Sequence, residues 1–174
     1  QKFIADHPSL HSIEAQDLLA NAAYEANEHD LALKTFEGLL KDAKVDSHLR
    51  TEVSIKMGNI WLGKNKFGSA LGAFIQSLHQ GEYGKDSTSL LSIRGVLQTF
   101  EAQGKLDSAA YFMGKLPIKG LVDTAYVAGL YIGLGQRFEK ASSQIQAKSA
   151  YQRASELDAN DIGARAQLAL ARMF

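Results

Sequence analysis

The residues able to do chemistry are few and poorly grouped. His7 and His11, with Asp6 beside the first, have the four-residue spacing that places two metal ligands on one helical face. Pro8 undoes that spacing, because the residue before a proline is pushed out of helical geometry, so no metal site is expected. His29 falls in a turn, His48 near a helix start and His79 near a helix end, all ordinary surface positions. Gly129, Gly133 and Gly135 make up the glycine cluster that could cradle a phosphate. No strand precedes it and no Lys-Ser/Thr follows, so close helix packing is its expected use. Serine, histidine and acidic residues form no nucleophile elbow. The chain is expected to be no enzyme, with no catalytic residue and no cofactor.

Composition narrows the partners. The 174 residues balance 19 Lys+Arg against 19 Asp+Glu, with 45% apolar and 22% charged residues. Such a chain can bury about two thirds of the surface that its unfolded form exposes. Zero formal net charge removes the electrostatic footprint of a nucleic-acid binder. No window approaches the roughly 18 to 20 apolar residues of a membrane span. The absence of cysteine excludes disulfide staples, thiol catalysis and cysteine-ligated zinc, and it suits cytoplasm and periplasm equally. The sequence opens on Gln1 rather than Met, so any signal peptide or lipid anchor would be encoded upstream.

The remaining side chains need elements to position them. Ala and Leu recur at three- and four-residue spacings and strict alternation is hard to find, which predicts an all-α fold. Cutting at Gly, Asn and Asp clusters gives helices over 12–26, 30–42, 47–63, 67–80, 87–103, 106–115, 123–134, 143–158 and 161–173. These helices repeat. Ala20, Ala32, Phe36 and Leu39 align with Gly58, Ala70, Phe74 and Ser77, then with Leu97, Ala109, Met113 and Leu116, at separations of 12, 4 and 3 within each set. Successive sets are displaced by 38 and 39 residues, so constant pairs are separated by long connections.

A fourth unit restarts less regularly. Ala128-Gly129, Ile132 and Phe138 open it, and Ala147, Tyr151, Ala154 and Ala159 close it six or seven residues late. The expectation there is a connection over 136–142 followed by a capping box, Ser143-Gln144-Ile145-Gln146; one extended helix is the alternative. On the last helix Ile162, Ala166, Ala169 and Met173 form a stripe that can pack back on its predecessor. Ala164, Leu168 and Ala171 lie on roughly the opposite side, a face for self-association.

Met57-Gly58, Trp61, Phe67, Ala70 and Phe74 match the pattern W-x2-L-G-x2-Y…A-x3-F…P, and on these residues the chain resembles the tetratricopeptide repeat family. The run from Gln103 to Ala109 is similar to the family's turn between paired helices, with Asn27-Glu28-His29-Asp30 and Asn65-Lys66-Phe67 in the corresponding places. In such pairs a small residue on each helix lets two antiparallel helices approach while large residues fill the surrounding layer. The resemblance implies a single domain over 1–174, a piece of a longer protein: an α-solenoid of antiparallel pairs wound into a right-handed superhelix. Its repeats would span roughly 13–46, 51–84, 90–123 and 122–160, with a terminal helix over 161–173.

The family's concave surface holds a peptide or helix of a partner protein. The slots it implies here are Asp17, Asn21 and Tyr24, then Ile55, Asn59 and Leu62, then Arg94, Gln98 and Glu101, and finally Tyr126 and Leu130. The family's clamp for a terminal carboxylate is not reproduced, since Asp17 and Gly95 stand where it needs basic side chains. Phe3-Ile4…His7-Pro8-Ser9, followed by Ala15…Leu18-Leu19-Ala20 and Ala32…Phe36, resembles the opening of bacterial periplasmic and outer-membrane-associated members. The implied function is a noncatalytic scaffold for protein-complex assembly that binds a protein or peptide partner. The alternatives are a self-assembly module that stacks through its open repeat ends as a homodimer, and the regulatory domain of an enzyme.

Overall fold

The computed structural model describes residues 12–80, 87–116, 123–158 and 160–173. Among these the chain is all-helical, with nine helices and no strand: α1 (Ile13–Glu25), α2 (His29–Lys41), α3 (Ser47–Gly63), α4 (Phe67–Gln80), α5 (Ser87–Ala102), α6 (Leu106–Gly114), α7 (Thr124–Lys140), α8 (Gln144–Leu157) and α9 (Asp161–Ala171). They fall into two compact units that divide between residues 81 and 82. In the first unit α1 packs on α2, α2 on α3 and α3 on α4. In the second α5 packs on α6, α6 on α7, α7 on α8, and α9 on both α7 and α8. Helix starts follow the sequence: Ser12, Asp46 and Asp123 each accept a hydrogen bond from the backbone N–H three residues on, at 3.2, 2.8 and 2.8 Å.

The same three-residue turn joins α1 to α2, α3 to α4, α5 to α6 and α7 to α8. Its middle residue is left-handed each time: Asn27, Asn65, Gly104 and Ser142, with φ of 60°, 57°, 70° and 58°. The N–H of that residue donates to the carbonyl three back, at 3.1, 2.9, 2.9 and 2.9 Å. The next N–H donates to the carbonyl five back, at 2.8, 2.8, 2.9 and 2.8 Å. This is the Schellman closure, which satisfies the last carbonyls of the first helix without any side chain.

These turns correct the reading of the fourth unit. They lie 38, 39 and 38 residues apart, so the fourth pair is in register and nothing is inserted. Residues 136–140 are the last turn of α7 rather than a connection, and the turn is 141–143. Gly135, Ala147, Tyr151 and Ala154 repeat the 12, 4 and 3 separations of the other three sets, and all four are buried. The expected opening at Ala128-Gly129 is therefore six or seven residues out of phase. The capping box is absent as well, since the Ser143 side chain makes no capping hydrogen bond. Its backbone N–H already closes the turn.

The repeated set is the core of each pair. Ala20, Ala32, Phe36, Ala70, Phe74, Ala109, Met113 and Ala147 are fully buried, and Tyr151 is 1% exposed. A Cβ at Gly58 would lie 2.6 Å from the Phe74 ring, and one at Gly135 would lie 2.6 Å from the Tyr151 ring. Both glycines are thus seats for an aromatic side chain from the second helix of the pair. In the third pair Leu97 occupies the glycine position and Met113, an unbranched thioether in place of a ring, the aromatic one; both are buried.

Two of the connections use side chains instead. Arg50 of α3 donates to the carbonyls of Leu40, Val45 and Asp42, which fixes the link after α2. Before α9, Asp158 accepts from the N–H groups of Ile162 and Gly163, each at 3.0 Å. The bond from Gly163 is the main cause that holds this carboxyl below its ordinary range. A Cβ at Gly163 would fall 1.7 Å from the Asp158 carbonyl oxygen, so the close approach requires glycine.

Candidate functional site: the first-helix faces

In the first unit, Asn21 and Tyr24 stand on α1 and Asn59 on α3. Asn21 is half-buried and already engaged. Its Nδ2 donates to Asp17 Oδ1 at 3.0 Å, and its Oδ1 accepts from Lys56 Nζ at 2.6 Å. One amide hydrogen and one oxygen lone pair remain for a ligand. Asp17 is therefore the end of a polar chain that ties α1 to α3 through Asn21 and Lys56. The Tyr24 ring packs edge-on against Phe36, with centroids 6.5 Å apart and planes at 61°. Asn59 is exposed. Ile55 is 8% exposed and belongs to the interior, which corrects its expected place as an open apolar pocket.

Tyr24 and Asn59 line one cleft of about 290 Å³ together with Glu25, Asn27 and His29. The Nδ1 atom of His29 is buried there and has no hydrogen-bond partner among the described residues. The histidine's place in a turn is legible in the sequence; its presence in a cleft with two slot residues is not. Beside the cleft, Lys64 Nζ binds Asp30 Oδ1 at 2.5 Å. That exposed pair holds the Asp30 carboxyl below its usual range, chiefly through the hydrogen bond.

In the second unit, Arg94 and Gln98 lie four residues apart on α5 and both are exposed. Glu101, the third expected slot, is instead taken by the protein: Arg137 of α7 binds its Oε2 at 2.9 Å. Burial pushes the Glu101 carboxyl up, and the Arg137 charge opposes this. The glycine cluster acts here through packing. Arg137 folds back over Gly133, where a Cβ would lie 3.0 Å from its guanidinium, and Gly135 seats Tyr151. Gly129 has only an ordinary contact, with Ile162 at 3.9 Å from its Cβ position. The Tyr151 hydroxyl donates to Glu139 Oε2 at 2.6 Å, and burial first, then this bond, raise the phenol far above its ordinary value.

The corrected register moves two further residues. Ile132, Gln136 and Glu139 are the counterparts of Ile55, Asn59 and Leu62, so Tyr126 and Leu130 stand six positions too early to be slots. Tyr126 is half-buried with its hydroxyl enclosed and unpartnered among the described residues. On α9, Ala166 is fully buried, while Ala164, Ala171 and Leu168 are exposed, Leu168 at 55%.

His7 and His11 lie outside the described residues. Among those described, no group of three His, Asp or Glu side chains is placed to hold a metal ion, and no helix is long and apolar enough to cross a membrane. Compared with known proteins, the chain matches no family model and no curated protein.

Proposed function

We propose that the chain is a tetratricopeptide-like scaffold, its antiparallel helix pairs stacked as a right-handed solenoid that binds a segment of a protein partner along its first helices. One observation carries the reading. Each of the four pairs bears a carboxamide at the same register position of its first helix: Asn21, Asn59, Gln98 and Gln136. A carboxamide both donates and accepts, as a peptide unit does, so a repeated series of them suits the backbone of an extended segment rather than any particular side chain. Zero net charge favours modest affinity with weak dependence on salt.

An extended-peptide display library selected on the whole chain tests this. Selected peptides should lose about tenfold in affinity, or about 1.4 kcal/mol, with Asn59→Ala, and a similar amount with Arg94→Ala plus Gln98→Ala. The helical circular-dichroism signal should be unchanged. Binders indifferent to these variants would move the functional surface off the first helices.

The exposure of Leu168 supports a second reading, self-association through α9. Sedimentation should then show a concentration-dependent dimer that Leu168→Glu weakens. A strict monomer at high concentration would end that reading.

A further inference from the structure

We infer that the cleft at the end of the first helix pair receives the guanidinium of an arginine carried by the partner segment, an assignment that rests on the scaffold reading for its peptide context. Glu25 is the one charged side chain that lines the cleft among the described residues. The lysines near Asn59 in the chain are bound to other residues, Lys64 to Asp30 at 2.5 Å, Lys56 to Asn21 at 2.6 Å and Lys66 over the Trp61 ring at 4.8 Å. Glu25 itself has no hydrogen bond or ion pair among the described residues, so its carboxylate is open to a ligand. A cationic ligand would find an unpaired carboxylate here, whereas an anionic one would be repelled by it.

The shape of the polar groups selects among cations. Glu25, Asn27 and Asn59 line the cleft from α1, the turn and α3, so a carboxylate and two carboxamides able to accept hydrogen bonds come from three separate elements. Guanidinium offers five N–H donors in a plane and no acceptor, which matches acceptors drawn from separate elements; an ammonium is a compact point charge. Tyr24 adds an aromatic wall whose edge-on contact with Phe36 fixes its orientation, and a guanidinium stacks on such a ring. His29 lines the same cleft, and its buried Nδ1 has no hydrogen-bond partner among the described residues.

The probe is N-acetyl-arginine amide, titrated into the isotope-labelled whole chain and followed by the backbone amide signals of residues 24–29 and 59–63. Saturable shifts confined to those residues are expected, with affinity about tenfold weaker in Glu25→Gln. N-acetyl-citrulline amide, the neutral isostere, should leave the signals in place. Equal shifts with citrulline, shifts unaffected by Glu25→Gln, or shifts centred elsewhere would overturn the assignment. The two readings fail separately. Library peptides that depend on Asn59 but contain no arginine, with no response to N-acetyl-arginine amide, would retain the scaffold and remove the arginine site. Response to N-acetyl-arginine amide with no peptide selected would do the reverse.

Discussion

Gly58→Leu should cost the first unit about 3 kcal/mol of stability, the upper end of the range for overpacking. The Cβ alone would stand 2.6 Å from the Phe74 ring, and the ring has no exposed side toward which to retreat, being fully buried. The helices must then part, which uncovers the apolar layer they share. Gly38→Ala is the matched control. A Cβ at Gly38 meets nothing within 4 Å, so the substitution in mid-helix should stabilise by about 0.5 to 1 kcal/mol through backbone entropy. Urea titration followed by helical circular dichroism reads both. Equal stability of wild type and Gly58→Leu would disprove the seat.

Phe36→Ala should destabilise the same unit by about 3 to 5 kcal/mol. The ring is fully buried in a cluster with Ala20, Ala32, Leu39 and Val53, and the alanines of that cluster have no side-chain length to collapse into the hole. Tyr24 loses its edge-on partner as well. Hydrogen exchange would show the damage as accelerated exchange across α1 and α2. Normal exchange there, with an unchanged denaturation midpoint, would mean that the first pair is not organised around this ring.

Most of the helices are legible from apolar spacing and from Gly, Asn and Asp punctuation, because in this chain those residues do end helices. The first three pairs are legible for the same reason: Ala20 and Phe36, or Gly58 and Phe74, are a small and a large residue whose spacing admits one packing. The fourth pair misleads because it offers three glycines. Only Gly135 seats an aromatic ring, but Ala128-Gly129 imitates the small pair better, and Tyr151 differs from Phe36 by a hydroxyl that needs Glu139. Ser142 gives no warning of a turn either, since its left-handed conformation is imposed by the backbone closure rather than by its own preference.

The slots were harder. The repeat resemblance implies Ile55 and Glu101 on the face that a partner would touch, but burial and the ion pair with Arg137 depend on neighbouring helices that a repeat pattern does not encode. The cleft of Tyr24, His29 and Asn59 joins residues from three elements, and only the packed pair shows that they meet.

The four backbone-closed turns also determine where this chain can change length. Each holds its second helix in phase by hydrogen bonds that count residues, five and three back, so one added residue there would rotate the following helix by about 100° and turn its buried stripe toward water. The links between pairs are not of one length: 42–46 after α2 against 115–123 after α6. Evolutionary insertions, and equally an engineered tag or fused domain, are therefore excluded from the turns, which admit substitution only by residues that tolerate the left-handed conformation.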